Sequence, residues 1–547
     1  MLPNLSNSLK SIVLGWSLQA SDVSHIPSVY SFLVKFAKVS FNFRRLSYAS
    51  LELFSSRKPL DFHLTSYHHL LEALYSRISF TKIRCECSSS FLITRLSFFA
   101  PAFYASVHHL ILNDCTTTLP SVVMFTNLYC LELDFDTSSD HSFPNNTLVF
   151  PLEMSRVQSL IIKLCLASFL DLSNLFELKS LRIEYGCVSK LIGIEIIDCL
   201  SSFEILGGML EEFPNFGGKI LKLEWDCYAD YHQTIDLQFV FNLKISRLNF
   251  DYLNISSQNL RKFHLSECNI SEFSGQNFQN LEELEVANCD ELLVLNLTDT
   301  VKLSSLSVSY CPVISGFKIS KDSTLYSFFC RNLSMKYCLE IFENCKYLRV
   351  LYLGSIENFY EFLHLKFELS YLDSLTVLDS VEVLTILDCP RLSDLIISNR
   401  ILNSDYLLEI SKFKNLKKFD CSKLSLLSMK FDQNFVSKLS SIRLSNLPSI
   451  DFEFLKNCPF MKEIYIDSMK NIVNYSRISE LKFLSNFSYY GQPFENLLTV
   501  NFPLSIEYLS LKFQCSRGIL NYFNELVSKF NTKNSGRYLN YDVSCFT

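Results

Sequence analysis

The sequence predicts an α/β solenoid, a curved stack of short parallel strands closed by helical caps at its N- and C-terminal ends. Three observations predict it. First, one phrase recurs: apolar residues at a start position and three and five residues on, then cysteine eight on. It reads Val107-Leu110-Leu112-Cys115, Val157-Leu160-Ile162-Cys165, Leu260-Phe263-Leu265-Cys268, Leu281-Leu284-Val286-Cys289, Leu303-Leu306-Val308-Cys311 and Val381-Leu384-Ile386-Cys389. Second, in the best-ordered stretch the phrases start at 260, 281, 303, 325 and 348, in steps of 21, 22, 22 and 23 residues. Third, the 547-residue chain is 48% hydrophobic with only 13 glycines and 14 prolines, so it can fill a continuous core and shows no long flexible linker. A unit this short buries its apolar edge only against its neighbours, so a regular repeat implies a stack.

The spacing assigns each position a direction. Residues three and five beyond the start alternate along a short strand and point inward, and the residue between them faces solvent on the concave side. The eighth position lies past the strand, where the chain turns and a small, weakly polar side chain can enter the core; a free cysteine suits it. Unit length and pattern resemble the leucine-rich repeat, whose unit is about 20–29 residues. Other copies keep the apolar spacing and change the eighth residue: Leu325-Phe328-Cys330-Leu333, Leu348-Leu351-Leu353-Ile356, Leu439-Ile442-Leu444-Leu447, Met461-Ile464-Ile466-Met469 and Ile478-Leu481-Phe483-Asn486. Weaker copies start at Leu128, Leu178, Leu200, Ile245 and Leu416, with a first at Phe80-Ile83-Cys85 and a last at Ile506-Leu509-Leu511. The step from 245 to 260 is too short for a unit, so one of those two starts is misplaced. The solenoid is therefore assigned to residues 79–512.

Residues 1–52 do not fit the repeat and read as helical. Residues 53–78 read as a bridging segment with a short helix over 60–78, capped by Thr65 or Ser66, with Leu70, Leu71, Leu74 and Tyr75 on one face. After residue 512 the pattern Ile519, Leu520, Phe523, Leu526, Val527 and Phe530 has helical spacing, so residues 513–547 read as a C-terminal cap helix and tail.

The N-terminal segment has Leu2-Pro3, then Leu9 and Ile12, then Val39-Ser40, Phe43-Arg44-Arg45-Leu46. Here the chain resembles a degenerate F-box, which opens with Leu-Pro and closes with a Val-Ser/Cys…Phe-Arg-x-Leu stretch; the distance from Leu2 to Val39 is longer than in that family. Taken with the repeat behind it, the chain is similar to fungal F-box/leucine-rich-repeat proteins. The resemblance implies that Leu2, Pro3, Leu9, Ile12, Val39, Phe43 and Leu46 dock a Skp-type adaptor of a cullin–RING ubiquitin ligase, and that the repeats hold a substrate protein. The alternative for residues 1–52 is a plain N-terminal cap, which a solenoid needs to cover its first repeat.

Composition narrows the function classes. Net charge is −6, from 50 basic and 56 acidic residues, without a basic block, which weighs against nucleic-acid binding. No apolar run reaches the roughly 18–20 residues of a membrane span, and the short run Ile12-Val13-Leu14 makes a poor secretion signal. The 19 cysteines, an odd number placed in the core register, read as reduced thiols in a cytoplasmic or nuclear protein.

Catalytic and metal signals are weak. Cys85 and Cys87 near His108 and His109 have the wrong spacing for structural zinc. His63, His68 and His69 lack a partner signal, and Cys338 and Cys345 share one face of a helix as core residues do. No phosphate loop or nucleophile elbow is present. The expected activity is thus protein binding, without catalysis, cofactor or metal. Its surface is the outward strand row: Ile111, Ile161, His264, Glu285, Ser307, Tyr352, Thr385, Arg443 and Tyr465. A stand-alone scaffold without a ligase link, or a cell-surface recognition module, would use the same row.

Overall fold

The computed structural model describes residues 61–64, 82–86, 105, 107–115, 125–135, 147–216, 220–249, 255–398, 413–422, 437–491, 502–503, 505–514, 528 and 540–546, with short breaks inside these ranges. It contains two compact units, residues 1–260 and 261–547. Both are stacks of parallel strands. In the first unit the strands are β1 (Asp61–Leu64), β2 (Lys82–Glu86), β3 (His109–Cys115), β4 (Cys130–Phe135), β5 (Ser159–Lys163), β6 (Ser180–Glu184), β7 (Ser202–Leu210), β8 (Lys222–Asp230) and β9 (Asn242–Asn249), each paired parallel to the next.

The second unit continues the same scheme internally. Its strands are β10 (Lys262–Ser266), β11 (Glu283–Ala287), β12 (Ser305–Ser309), β13 (Ser327–Arg331), β14 (Val350–Gly354), β15 (Ser374–Leu378) and β16 (Asp394–Ser398). They are followed by β17 (Lys418–Ser422), β18 (Ser441–Ser445), β19 (Glu463–Asp467), β20 (Asn486–Gly491), β21 (Tyr508–Gln514) and β22 (Asn540–Phe546). The far side of each coil carries short parallel bridges, such as Glu272–Ser274 with Val294–Leu297 and Gly316–Ile319, together with 3-10 turns. Helix α1 (Met335–Asn344) packs Met335, Cys338, Ile341 and Phe342 inward. This is the leucine-rich-repeat solenoid expected from the sequence; the helical caps lie outside the described residues.

Alternation works as the spacing requires. In β11, Leu284 and Val286 are 2% and 0% exposed, and Cys289 is 0% exposed. Cys268 and Cys311 are likewise fully buried, so the thiols form the dry column that the phrase predicts. The residue that makes room for each thiol is the one before it. Leu164, Glu267, Asn288 and Tyr310 all have φ between 53° and 55°, in the left-handed region. The same conformation recurs without a following cysteine at Asn332, Ser355, Asp379, Asn446 and Ser468. Non-glycine residues adopt it at a cost of roughly 1–2 kcal/mol, so something must hold them there. A hydrogen bond does: the backbone N–H of Glu267, Asn288 and Tyr310 donates to Ala287, Ser309 and Arg331 in the next strand at 2.9, 3.0 and 2.9 Å. The chain then turns inward, and the Cys268, Cys289 and Cys311 thiols donate to the carbonyls two residues back at 3.2, 3.5 and 3.4 Å.

Four sequence expectations are corrected. Val381–Thr385 is a 3-10 turn, not a strand; a 3-10 turn also places residues three apart on one side, so Val383, Leu384 and Ile386 are buried while mimicking the phrase. The units there start at Leu372, Leu392 and Leu416, which replaces two stretched steps by steps of 24, 20 and 24 residues. Ile245 is the inward mid-strand residue of β9, and its unit starts at Val240, a full 20 residues before Leu260. Ile478 lies in the 3-10 turn Tyr475–Glu480 and Phe483 is 56% exposed; the unit is Leu484-Phe487-Tyr489. Finally, the strand stack runs past both limits set for it: Asp61–Leu64 is a strand inside the segment read as a bridging helix, and Asn540–Phe546 is a strand inside the segment read as cap and tail. Residues 1–52 with Leu2, Pro3, Leu9, Ile12, Val39, Phe43 and Leu46, the helix beyond Leu64, and the helix read over 519–530 except Ser528 lie outside the described residues.

Burial also sets how the fold responds to alkali. It pushes the Cys165 and Cys227 thiols up to about 11 and the Cys345 and Cys458 thiols up to about 12. With folded values above the ordinary thiol value of 9.0, the native state holds more protons than the unfolded chain above that pH. This stabilisation is complete below pH 9.0 and is lost as pH rises through 11 to 12. Urea midpoints measured under reducing conditions are expected to fall steadily from about pH 8.5 to about pH 10.5; a flat profile would mean that water reaches these thiols.

Candidate protein-binding face

The outward face of the strands has three rows, from the first, third and fifth residue of each. In the first unit it is a lattice of ion pairs. Lys163 Nζ lies 2.6 Å from Glu132 and 3.8 Å from Glu184; Arg182 reaches Glu184 at 2.5 Å and Glu204 at 3.4 Å. Lys222 pairs with Glu204 and, at 3.6 Å, with Glu224, and Lys244 Nζ is 2.7 Å from Glu224. Arg247 pairs with Asp226. Each base lies within reach of an acid on a neighbouring strand, and Lys222 bridges Glu204 and Glu224, which face each other, so these charges are already mutually paired. Ile161 sits in this lattice half-buried, and Ile111 is only 2% exposed despite its outward slot.

In the second unit the central row runs His264, Glu285, Ser307, Phe329, Tyr352, Thr376, Ile396, Asp420, Arg443, Tyr465 and Ser488, each opposite the next. His264 Nδ1 is 2.7 Å from the Glu285 carboxylate, a half-exposed pair worth at most about 1 kcal/mol. From β12 to β15 the character changes. The three rows read Ser305, Ser307, Ser309; Ser327, Phe329, Arg331; Val350, Tyr352, Gly354; Ser374, Thr376, Leu378, and Arg331 is their one charge. The Phe329 and Tyr352 rings stack at 3.9 Å and 15°, and the Arg331 guanidinium lies 5.0 Å over the Tyr310 ring. At the edge, Arg349 covers Tyr326 and Arg391 covers Tyr371.

The structure thus brings together His264 with Glu285, and Arg443 with Tyr465, whose ring lies 4.4 Å below the guanidinium. It places Ser307 and Tyr352 on the platform whose one charge is Arg331. It removes Thr385, which is exposed but in the 3-10 turn and off the strand face. Phe329 and Asp420 were missed, although Phe329 is the residue between the inward pair of an identified unit. Thr376 and Ile396 needed the corrected starts at Leu372 and Leu392. Among the described residues no group of three or more His, Cys, Asp or Glu side chains could hold a metal ion, and no helix is long and apolar enough to cross a membrane.

No known family pattern matches the sequence, and no curated protein matches it. Solved structures similar to it are leucine-rich-repeat proteins at low identity. The mouse RP105/MD-1 complex is 13% identical, with 81% of this chain and 80% of that chain covered and a TM-score of 0.47. A TLR13–ssRNA13 complex is 12% identical, with 80% and 67% covered and a TM-score of 0.46. An internalin, InlF, of Listeria monocytogenes is 16% identical, with 57% and 86% covered and a TM-score of 0.35. At these values the likeness says nothing about what this chain binds.

Proposed function

We propose that this chain is a non-catalytic protein-binding scaffold whose docking platform is the outward face of β12 to β15. The observation that carries this reading is the loss of charge there: an ion-paired lattice in the first unit contrasts with serines around the stacked Phe329 and Tyr352 in the second. Interface centres are depleted in charge and enriched in Tyr, Phe and Arg, and a rigid stacked pair loses little entropy on docking. On the resemblance of residues 2–46, the scaffold serves as an F-box-like substrate receptor: the N-terminal segment docks a Skp-type adaptor, the platform holds the substrate, and partner enzymes perform ubiquitin transfer. Its role is to raise the effective concentration of substrate at the ligase. The free thiols of the described cysteines fit work in a reducing cytoplasmic or nuclear compartment.

One experiment tests both halves. The full chain, tagged and expressed in its native cells, is compared with Leu9→Asp/Ile12→Asp and Phe329→Ala/Tyr352→Ala by quantitative co-purification. The first variant is expected to lose the adaptor and keep the substrate; the second does the reverse, with substrate recovery down tenfold or more, as for a hot-spot loss of about 2 kcal/mol or above. Unchanged substrate recovery by the second variant sinks the platform, and unchanged adaptor recovery by the first sinks the ligase link.

A further inference from the structure

The outward face of β16 to β21 has a depression of about 440 Å³. Its lining includes Ile396, Asp420, Arg443, Tyr465, Asp394 and Glu463. Cations stand at its rim: Lys418 is 69% exposed and 3.7 Å from Asp394, and Arg443 is 56% exposed and stacked on Tyr465. The floor is acidic. Asp420 lies between Ile396 and Arg443 in the central row, its side chain 30% exposed. Its nearest cation is Arg443 Nε at 3.8 Å, beyond hydrogen-bond reach, and no donor among the described residues bonds to it. Glu463, by contrast, accepts from Ser441 Oγ at 3.0 Å.

A partly exposed carboxylate whose nearest cation stands at 3.8 Å is open to a better-placed charged donor from a partner. Burial pushes the Asp420 carboxyl above its ordinary value, against the opposing pull of Arg443, so the acid is under-compensated as it stands. The exposed face of Ile396 offers apolar surface for a methylene stem, as long basic side chains require. We propose that this depression receives a basic side chain, arginine or lysine, from an extended segment of the bound protein, with Asp420 as its counter-ion. This rests on the protein-binding reading above and specifies the chemistry of the partner next to the platform. The same geometry disfavours an anion, which would meet Asp420 at the floor.

The probe is the pentapeptide acetyl-Gly-Gly-Arg-Gly-Gly-amide, compared with its citrulline analogue, which keeps the shape and removes the charge. Binding to the full chain is followed by ligand-observed NMR at low salt. The arginine peptide is expected to bind about tenfold or more tightly than the citrulline peptide, as charge-assisted hydrogen bonds allow. Asp420→Asn should lose that preference. Arg443→Met removes a like charge beside the incoming one and should strengthen arginine binding about threefold or more. Equal binding of the two peptides, weaker binding by Arg443→Met, an unaltered preference in Asp420→Asn, or no binding at about 10 mM peptide overturns the proposal. Phe329 and Tyr352 lie on other strands, so substrate capture by Phe329→Ala/Tyr352→Ala reports on the platform independently of this result.

Discussion

Replacing Phe273 by alanine should lower the stability of residues 261–547 by about 3–5 kcal/mol, because its ring stands where three segments of one coil meet. Phe263 comes from the strand β10, Phe273 from the bridge Glu272–Ser274 and Phe278 from just past the 3-10 turn Gly275–Asn277. Their ring centroids are 5.6, 5.5 and 5.6 Å apart, and all three are 2% exposed or less. The cavity left by one ring is walled by the other two, which are fixed by a strand and a capped turn and have little freedom to close it. Phe483→Ala is the matched control. Its ring is 56% exposed, so its loss should change stability by no more than about 0.5 kcal/mol. Urea denaturation of the two variants distinguishes the observed register from the one read off Ile478-Leu481-Phe483. Comparable losses at both positions would restore the latter.

That contrast marks where the sequence was legible. The phrase was secure where the eighth residue was cysteine and the next unit followed at once, as from Leu260 to Leu303, because four positions then had to agree. It failed at Val381 and Ile478, where a 3-10 turn sets apolar residues three apart on one side and so matches the first step of the phrase without the alternation of a strand. It could not supply the left-handed residue before each turn: Leu164, Glu267, Asn288 and Tyr310 share no chemistry, since the conformation is imposed by the hydrogen bond to the next strand. The proposed binding face was half visible. His264, Glu285, Ser307, Tyr352, Arg443 and Tyr465 followed from register, whereas the pairing of Phe329 with Tyr352 and the depression around Asp420 depend on which strands are neighbours. The contrast between an ion-paired face and one with a single charge emerges only when the outward rows are laid side by side.

The buried thiol column makes the second large prediction, that Cys289→Asp costs about 3–5 kcal/mol at neutral pH, as for an uncompensated buried charge, while Cys289→Ala costs far less. Cys289 is fully buried between Cys268 and Cys311, and its thiol donates a weak hydrogen bond to the Ala287 carbonyl, with the Cys311 thiol and the Cys268 backbone beside it. A carboxylate there trades water for a dry core in which only the Cys268 backbone N–H and the Cys311 thiol stand near enough to donate. The turn has no easy way to swing it outward, because Asn288 is held left-handed by its N–H bond to Ser309 at 3.0 Å. The aspartate is therefore expected to take up a proton well above the ordinary carboxylate range. A folded value raised in this way adds stability at low pH and withdraws it as pH rises, so the deficit relative to wild type should shrink between about pH 7 and pH 4. Denaturation midpoints of the three proteins at both pH values measure this directly. If Cys289→Asp matches Cys289→Ala at neutral pH, the eighth position is hydrated, and the stacking that aligns the outward rows of β10 to β12 rests on something other than a dry core.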